Sequence, residues 1–172
     1  MLAQIGEFLR TILDREAPLE TTFAHEIAFT EQYLAIEQSR LGGRLRIDVS
    51  ISPETLDALV PSMLLQPLVE NAVRHGVALL VEGGTIRIQS KLDGGQLQIS
   101  IQNSATSGVW AEPVGKAVHG IGLTNTEERL KTLYGTDYKF ALQCQSSGAY
   151  QVIVQLPFRK TTQQREVEAC AR

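Results

Sequence analysis

The sequence predicts an α/β (α+β) fold, a two-layer sandwich in which a mostly antiparallel mixed sheet carries its helices on one face, preceded by a partial helical segment. Three observations predict it. Stretches of strand character are joined by Gly-containing turns short enough for antiparallel neighbours. Two stretches of helical period fall between those strands. The N-terminal zone, up to about Leu41, has helical period alone.

That first zone breaks near Ala17-Pro18, because a residue preceding proline avoids the helical region. Before the break, Leu2, Ile5, Leu9, Ile12 and Leu13 form an amphipathic pattern. After it, Leu19, Phe23, Ile27, Thr30, Leu34 and Leu41 recur at spacings of three, four and seven, with Glu20, His25, Glu26, Glu31 and Gln32 mostly off that stripe. Gly42-Gly43 stops the helix. Such a helix can pack on its own domain, or, as part of a long amphipathic region outside it, can meet a partner helix in a dimer. Both readings are open. The expected division is therefore 1–42 as helical segment, 43–158 as the main domain and 159–172 as a polar tail without periodicity.

Within the main domain, Leu45-Ile51 and Ile86-Leu92 read as strands, and Asp93-Gly94-Gly95 turns the chain tightly into Leu97-Gln102. Lys139-Gln145 and Tyr150-Leu156 flank Ser147-Gly148 as a second hairpin. Helices are expected at about Ser62-Ala78 and Ile121-Tyr134. Between Asn103 and Gly120 lies a stretch rich in small and polar residues (Ser104, Thr106, Ser107, Gly108, Pro113, Gly115) around Trp110. A connection of that length without periodicity has the character of a lid over a ligand.

Composition narrows the function classes. The 172 residues hold 43% hydrophobic and 20% charged residues with a net charge of −3, and no basic block occurs. Nucleic-acid binding, which needs clustered cations, is not expected. No apolar run approaches the roughly 18 to 20 residues that span a bilayer, and the N-terminus lacks the pattern of a signal peptide. Cys144 and Cys170 are far apart and suggest neither a disulfide framework nor a metal site.

The chemistry concentrates in Pro67-Leu68-Val69-Glu70-Asn71-Ala72-Val73-Arg74-His75-Gly76. At about 100° per residue, Leu65, Leu68, Val69, Ala72, Val73 and Gly76 share one arc. Pro67, Glu70, Asn71, Arg74 and His75 share the other. A solvated face could carry the same residue types, but a second element lies downstream. His119-Gly120-Ile121-Gly122-Leu123-Thr124-Asn125 runs into Glu127-Glu128-Arg129-Leu130, so glycines open a helix whose bare N–H groups can approach an anion closely. A carboxamide on a helix face beside such a start suits a magnesium nucleotide, because Asn71 supplies one hard oxygen while phosphates and water supply the rest.

These residues resemble a known family. Leu65 to Gly76 is similar, almost position by position, to the N-box of LytS-type sensor histidine kinases. Gly120-Ile121-Gly122-Leu123-Thr124-Asn125, with Arg129-Leu130, resembles the second glycine box of that family. Glu26, with Tyr33-Leu34-Ala35-Ile36-Glu37 and Arg40, resembles the helix leading into its ATPase domain. The resemblance implies the Bergerat-type nucleotide-binding fold shared with gyrase and chaperone ATPases (the GHKL superfamily). By position it implies that Asn71 binds Mg²⁺ and that Glu70 lies at the γ-phosphate, able to polarise an accepting imidazole or a water. Arg74 and His75 would border the phosphates. Gly120 and Gly122 would let the end of the lid wrap the phosphate chain, Gly108, Ile121, Leu123 and Asn125 would also bind the nucleotide, and Asn103 would face the adenine. It further implies a longer, membrane-anchored parent that works as a homodimer with a response regulator, its catalytic part on the cytoplasmic side.

Two departures qualify that resemblance. Asn103 stands where an adenine-reading Asp is expected, and Ala105 replaces a glycine. A neutral amide oxygen still accepts a hydrogen bond, without the strengthening of a charge, so the expectation is weakened ATP binding or else a degenerate, non-catalytic dimeric module. The family's phosphoacceptor segment is also missing, and none of His25, His75 and His119 suits its role. The chain therefore reads as a piece of a longer protein, unable to autophosphorylate alone. A GHKL ATPase, in which Glu70 activates water, is the remaining alternative.

Overall fold

The computed structural model describes residues 18–77, 81, 83–104, 121–144 and 150–160. The expectations for Leu2-Leu13, the helix break at Ala17, the lid from Ala105 to Gly120 (with Gly108 and Gly120), the Ser147-Gly148 turn and the tail from residue 161 lie outside them. So do the side chains of His75 and Ile121.

Chain order begins with a short strand β1 (Glu20–Thr22), which runs straight into helix α1 (Phe23–Leu41). Strand β2 (Leu45–Ile51), strand β3 (Leu59–Pro61) and helix α2 (Leu65–Ala72) follow, and α2 continues as a π-helical turn, Val73–Val77. Next come strands β4 (Gly84–Asp93) and β5 (Gln96–Asn103), helix α3 (Ile121–Tyr134), and strands β6 (Lys139–Cys144) and β7 (Tyr150–Pro157). The main sheet has the order β2-β4-β5-β7-β6; β2 and β4 are parallel, and the other pairs antiparallel. The parallel pair requires a long crossover, and β3 with α2 provides it. The expected hairpin turn is present, with Gly94 and Gly95 at φ 56° and 78°, the backbone of a tight turn between twisted strands.

Alternation along the strands buries one face. Ile86, Ile88, Leu97, Ile99, Ile101, Val152, Val154 and Leu156 point into the core. The three α-helices of the described residues cover that face: Phe23, Ile27, Leu34 and Leu41 from α1, Leu65, Leu68, Val69 and Ala72 from α2, and Leu123, Leu130 and Tyr134 from α3 join the same cluster. For residues 23–41, the stripe thus packs on its own sheet, the first of the two readings left open by its period. Among the described residues no helix is long and apolar enough to cross a membrane.

Three boundaries differ from the expected ones. Leu19 is not on the α1 stripe; it is 78% exposed and precedes β1. Residues 20–22 instead pair antiparallel with residues 59–61, and Thr22 then caps α1 by accepting the His25 N–H at 3.3 Å. Helix α2 starts at Leu65 rather than Ser62, because Met63 takes a left-handed backbone (φ 59°) that no helix accommodates. It ends as a helix at Ala72 and widens into the π-helical turn, a distortion that favours functional sites. Helix α3 spans Ile121–Tyr134, as its period predicts.

Candidate functional site

Helix α2 presents its two arcs much as its period requires. Leu65, Leu68, Val69, Ala72 and Val73 are buried, Pro67 and Glu70 are half-buried, and Arg74 is exposed. Asn71 is the exception. It falls on the outward arc and yet is 9% exposed, because a tyrosine from across the fold covers it. Asn71 Nδ2 donates to Tyr150 Oη at 3.1 Å. The backbone N–H of the same Tyr150 donates to Asn103 Oδ1 at 3.0 Å. One residue at the start of β7 therefore joins the carboxamide of α2 to the carboxamide that ends β5. With Nδ2 engaged, Asn71 keeps its oxygen as the atom it can offer to a ligand. Asn103, 3% exposed, spends one acceptor position on closing the β5–β7 pairing and keeps a second lone pair.

A cleft of about 520 Å³ opens between α2 and α3. Gln66, Pro67 and Glu70 line one wall, and Gly122, Asn125 and Arg129 the other. Glu70 is held by Gln66, whose Nε2 donates to Glu70 Oε1 at 2.7 Å. Gly122 faces Pro67 across the cleft: a Cβ there would stand 3.4 Å from the Pro67 Cβ, an ordinary van der Waals distance. Leu123 is a core residue, so its offer to a ligand is its backbone N–H in the first turn of α3. Gln66 Oε1 and Arg129 Nε are buried without a hydrogen-bond partner among the described residues.

Around this cleft the electrostatics are those of buried charge. Burial raises the Glu26 carboxyl above its ordinary value, against the N–H groups of Leu65, Met63 and Leu64 and the Arg129 charge. Burial lowers the Arg129 guanidinium, with the Glu26 charge opposing. The Tyr33 phenol is raised by burial, and the negative charges of Glu37 and Glu70 add to that.

Of the expected site residues, Glu70, Gly122 and Asn125 share the cleft, and Asn71 and Asn103 meet through Tyr150. Arg74 stands exposed in the π-helical turn with His75 beside it in sequence, and Ile121 opens α3. Gly108 and Gly120 lie outside the described residues. Among the described residues no group of three or more His, Cys, Asp or Glu forms a metal cage, so a cation here would rest on Asn71 and on oxygens brought by its ligand. Sequence reasoning missed Tyr150 and Gln66. Gln66 was within reach, since it stands one helical turn before Glu70. Tyr150 was not, because its contact to Asn71 crosses 79 positions.

No known family's sequence profile matches the chain. Individual proteins do. The chain is 31% identical over 159 residues to the sensor histidine kinase BtsS of Escherichia coli, covering 92% of this chain and 28% of BtsS. It is 26% identical over 181 residues to the sensor protein LytS of Staphylococcus epidermidis, covering 100% of this chain and 30% of LytS. The chain thus spans less than a third of these curated relatives' length. Among solved structures, the catalytic domain of the histidine kinase ThkA superposes with a TM-score of 0.59 at 15% identity, covering 82% of this chain and 97% of that domain. ThkA in complex with the response regulator protein TrrA superposes at 0.55 and 16% identity, covering 92% of this chain and 48% of that one. Over most of its length the chain is thus homologous to sensor histidine kinases, LytS among them, and it has the fold of a histidine kinase catalytic domain.

Proposed function

We propose that this chain is the ATP-binding catalytic domain of a two-component sensor histidine kinase, which transfers the γ-phosphoryl group of Mg-ATP to a histidine upstream in a longer protein. The observation that carries this reading is the meeting of Glu70 with Gly122 and Asn125 in one cleft, one helical position from an Asn71 whose Nδ2 is already tied. The donor set fits the group. Asn71 keeps one hard oxygen for Mg²⁺, the first N–H groups of α3 suit an anion, and Glu70 offers a half-buried carboxylate to an incoming nucleophile.

When bound, Mg-ATP supplies the transferable phosphoryl group and much of the charge neutralisation. The protein's own part is placement. Gln66 fixes one oxygen of Glu70, leaving the other to accept the N–H proton of an imidazole and turn its ring. Gly122 faces Pro67 of α2 across the cleft, and Arg74 and His75, which follow Asn71 in sequence, are proposed to border the phosphates. In-line transfer then needs positioning more than covalent help. A homodimer, a response regulator as the next acceptor and a membrane-anchored parent belong to the same reading; the ThkA–TrrA complex supports the response regulator.

Calorimetric titration with Mg-ATP tests it. Binding is expected, and Asn71→Ala is expected to abolish its Mg²⁺ dependence. A heatless titration at millimolar nucleotide would instead favour the second reading, a nucleotide-degenerate interaction module. One observation favours that alternative: Asn103 Oδ1, the atom expected to accept the adenine amino group, already accepts the Tyr150 N–H.

A further inference from the structure

We infer that Glu26 and Arg129 are positioning residues that grip the 62–65 turn from opposite sides, fixing where α2, with Glu70 and Asn71, stands relative to α1 and α3. The grip itself does not depend on the nucleotide; its consequence for Glu70 and Asn71 rests on the function proposed above.

A helix that begins in the core must place its first N–H groups somewhere. The cap residue of α2, Leu64, offers no side-chain bond. The carboxylate of Glu26, on α1, takes that place from a distance: Oε1 accepts the Met63 N–H at 2.6 Å and Oε2 the Leu65 N–H at 3.0 Å. From the other side Arg129, on α3, donates Nη1 to Ser62 O at 2.6 Å and Nη2 to Met63 O at 3.1 Å. Met63 thus has its N–H held by an anion and its C=O by a cation. It is also the non-glycine residue with positive φ among those described, a conformation that persists only where the surroundings over-determine it.

A local Ser or Asp could have capped α2 without linking it to anything. Glu26 is instead 3% exposed, and a buried charge is expensive unless its hydrogen bonds are placed well. What this arrangement adds is connection. Three helices meet at one turn, and each contributes to the proposed site or to the path into it. Any displacement of α1 pulls on the first turn of α2 through Glu26. The same displacement shifts the charge that faces Arg129, a wall of the cleft.

Amide hydrogen exchange on the whole chain tests the grip. Glu26→Gln keeps the shape and leaves a single acceptor oxygen, so one of the two N–H groups must face an NH₂. Exchange at Met63 and Leu65 is expected to rise about tenfold or more, the usual scale for losing a charge-assisted bond, while the amides of β5 and β7 hold. The Mg²⁺ concentration for half-saturation with ATP should rise severalfold, with adenosine binding unmoved. Unchanged exchange at Met63 and Leu65 overturns the proposal, and so does acceleration shared by the whole sheet, which would mark plain loss of stability. Should Glu26→Gln fail to fold, the wild-type chain decides. Its Met63 and Leu65 amides must exchange as slowly as the sheet, and fast exchange there overturns the grip. A wild type that binds no Mg-ATP removes the nucleotide reading, while the exchange data still judge the turn.

Discussion

Tyr150 bonds to both Asn71 and Asn103, the carboxamides at the two ends of the proposed nucleotide. Tyr150→Phe keeps the ring and deletes the hydroxyl, so Asn71 Nδ2 loses its partner in a buried place. The expected cost is about 1–3 kcal/mol, the range for an unsatisfied buried group, read from urea denaturation. If the hydroxyl also orients Asn71, the Mg²⁺ requirement for ATP binding should rise in the same variant. A stability loss with no change in Mg²⁺ response would confine Tyr150 to the sheet. Glu26 makes a pH-dependent prediction. Burial raises its carboxyl above 4.5, so the folded chain binds a proton that the unfolded chain has released. That excess stabilises the fold below the ordinary value and is lost as pH rises through the folded one. The stability difference between wild type and Glu26→Gln should therefore be smaller at about pH 7 than at about pH 4, measured by chemical denaturation. An equal difference at both would show that the carboxyl titrates normally.

At the scale of elements, the parallel pair β2–β4 depends on one glycine. Pairing begins at Leu45 opposite Gly84, and the residue before it, Gly83, has φ 79° with its missing Cβ only 2.0 Å from Arg44 O. Gly83→Ala meets backbone, not a movable side chain. It should destabilise by more than about 1 kcal/mol, beyond the ordinary glycine-to-alanine effect, as a lowered denaturation midpoint. Capping gives a milder case: Thr22→Ala removes the oxygen that holds the His25 N–H and should cost about 0.5–2 kcal/mol. Elements also differ in how well the sequence announces them. Helix α3 and the Gly94-Gly95 hairpin follow from local rules, period in one case and positive φ in the other. The β1–β3 ribbon does not. Its strands are three residues long, too short for a period of two to be seen, and their partners lie 37 to 41 positions apart. The π-helical turn after α2 is equally silent in the pattern, because Val73 to Val77 would suit an α-helix.

At the scale of the whole molecule, the five-stranded sheet and the three α-helices of the described residues bring Glu70, Gly122 and Asn125 to one cleft. The chain alone is expected to accumulate no phosphohistidine from labelled ATP. Adding a longer chain that carries an upstream histidine should yield acid-labile phosphate on that chain; phosphate release to water without it would favour an ATPase instead. The sequence by itself determined the fold class, the two sheet hairpins and the bounds of helix α3, because period, turn glycines and helix starts depend on neighbours in the chain. It did not determine which side chains the site residues would meet. The period put Asn71 on an outward arc, and only the approach of β7 made it a buried residue with Tyr150 on its nitrogen. Nor does any local rule pair Glu26 with a turn 37 positions away. Such contacts are fixed by where whole elements pack, and packing is decided by apolar burial summed over the sheet, not by the polar residues that come to rest upon it.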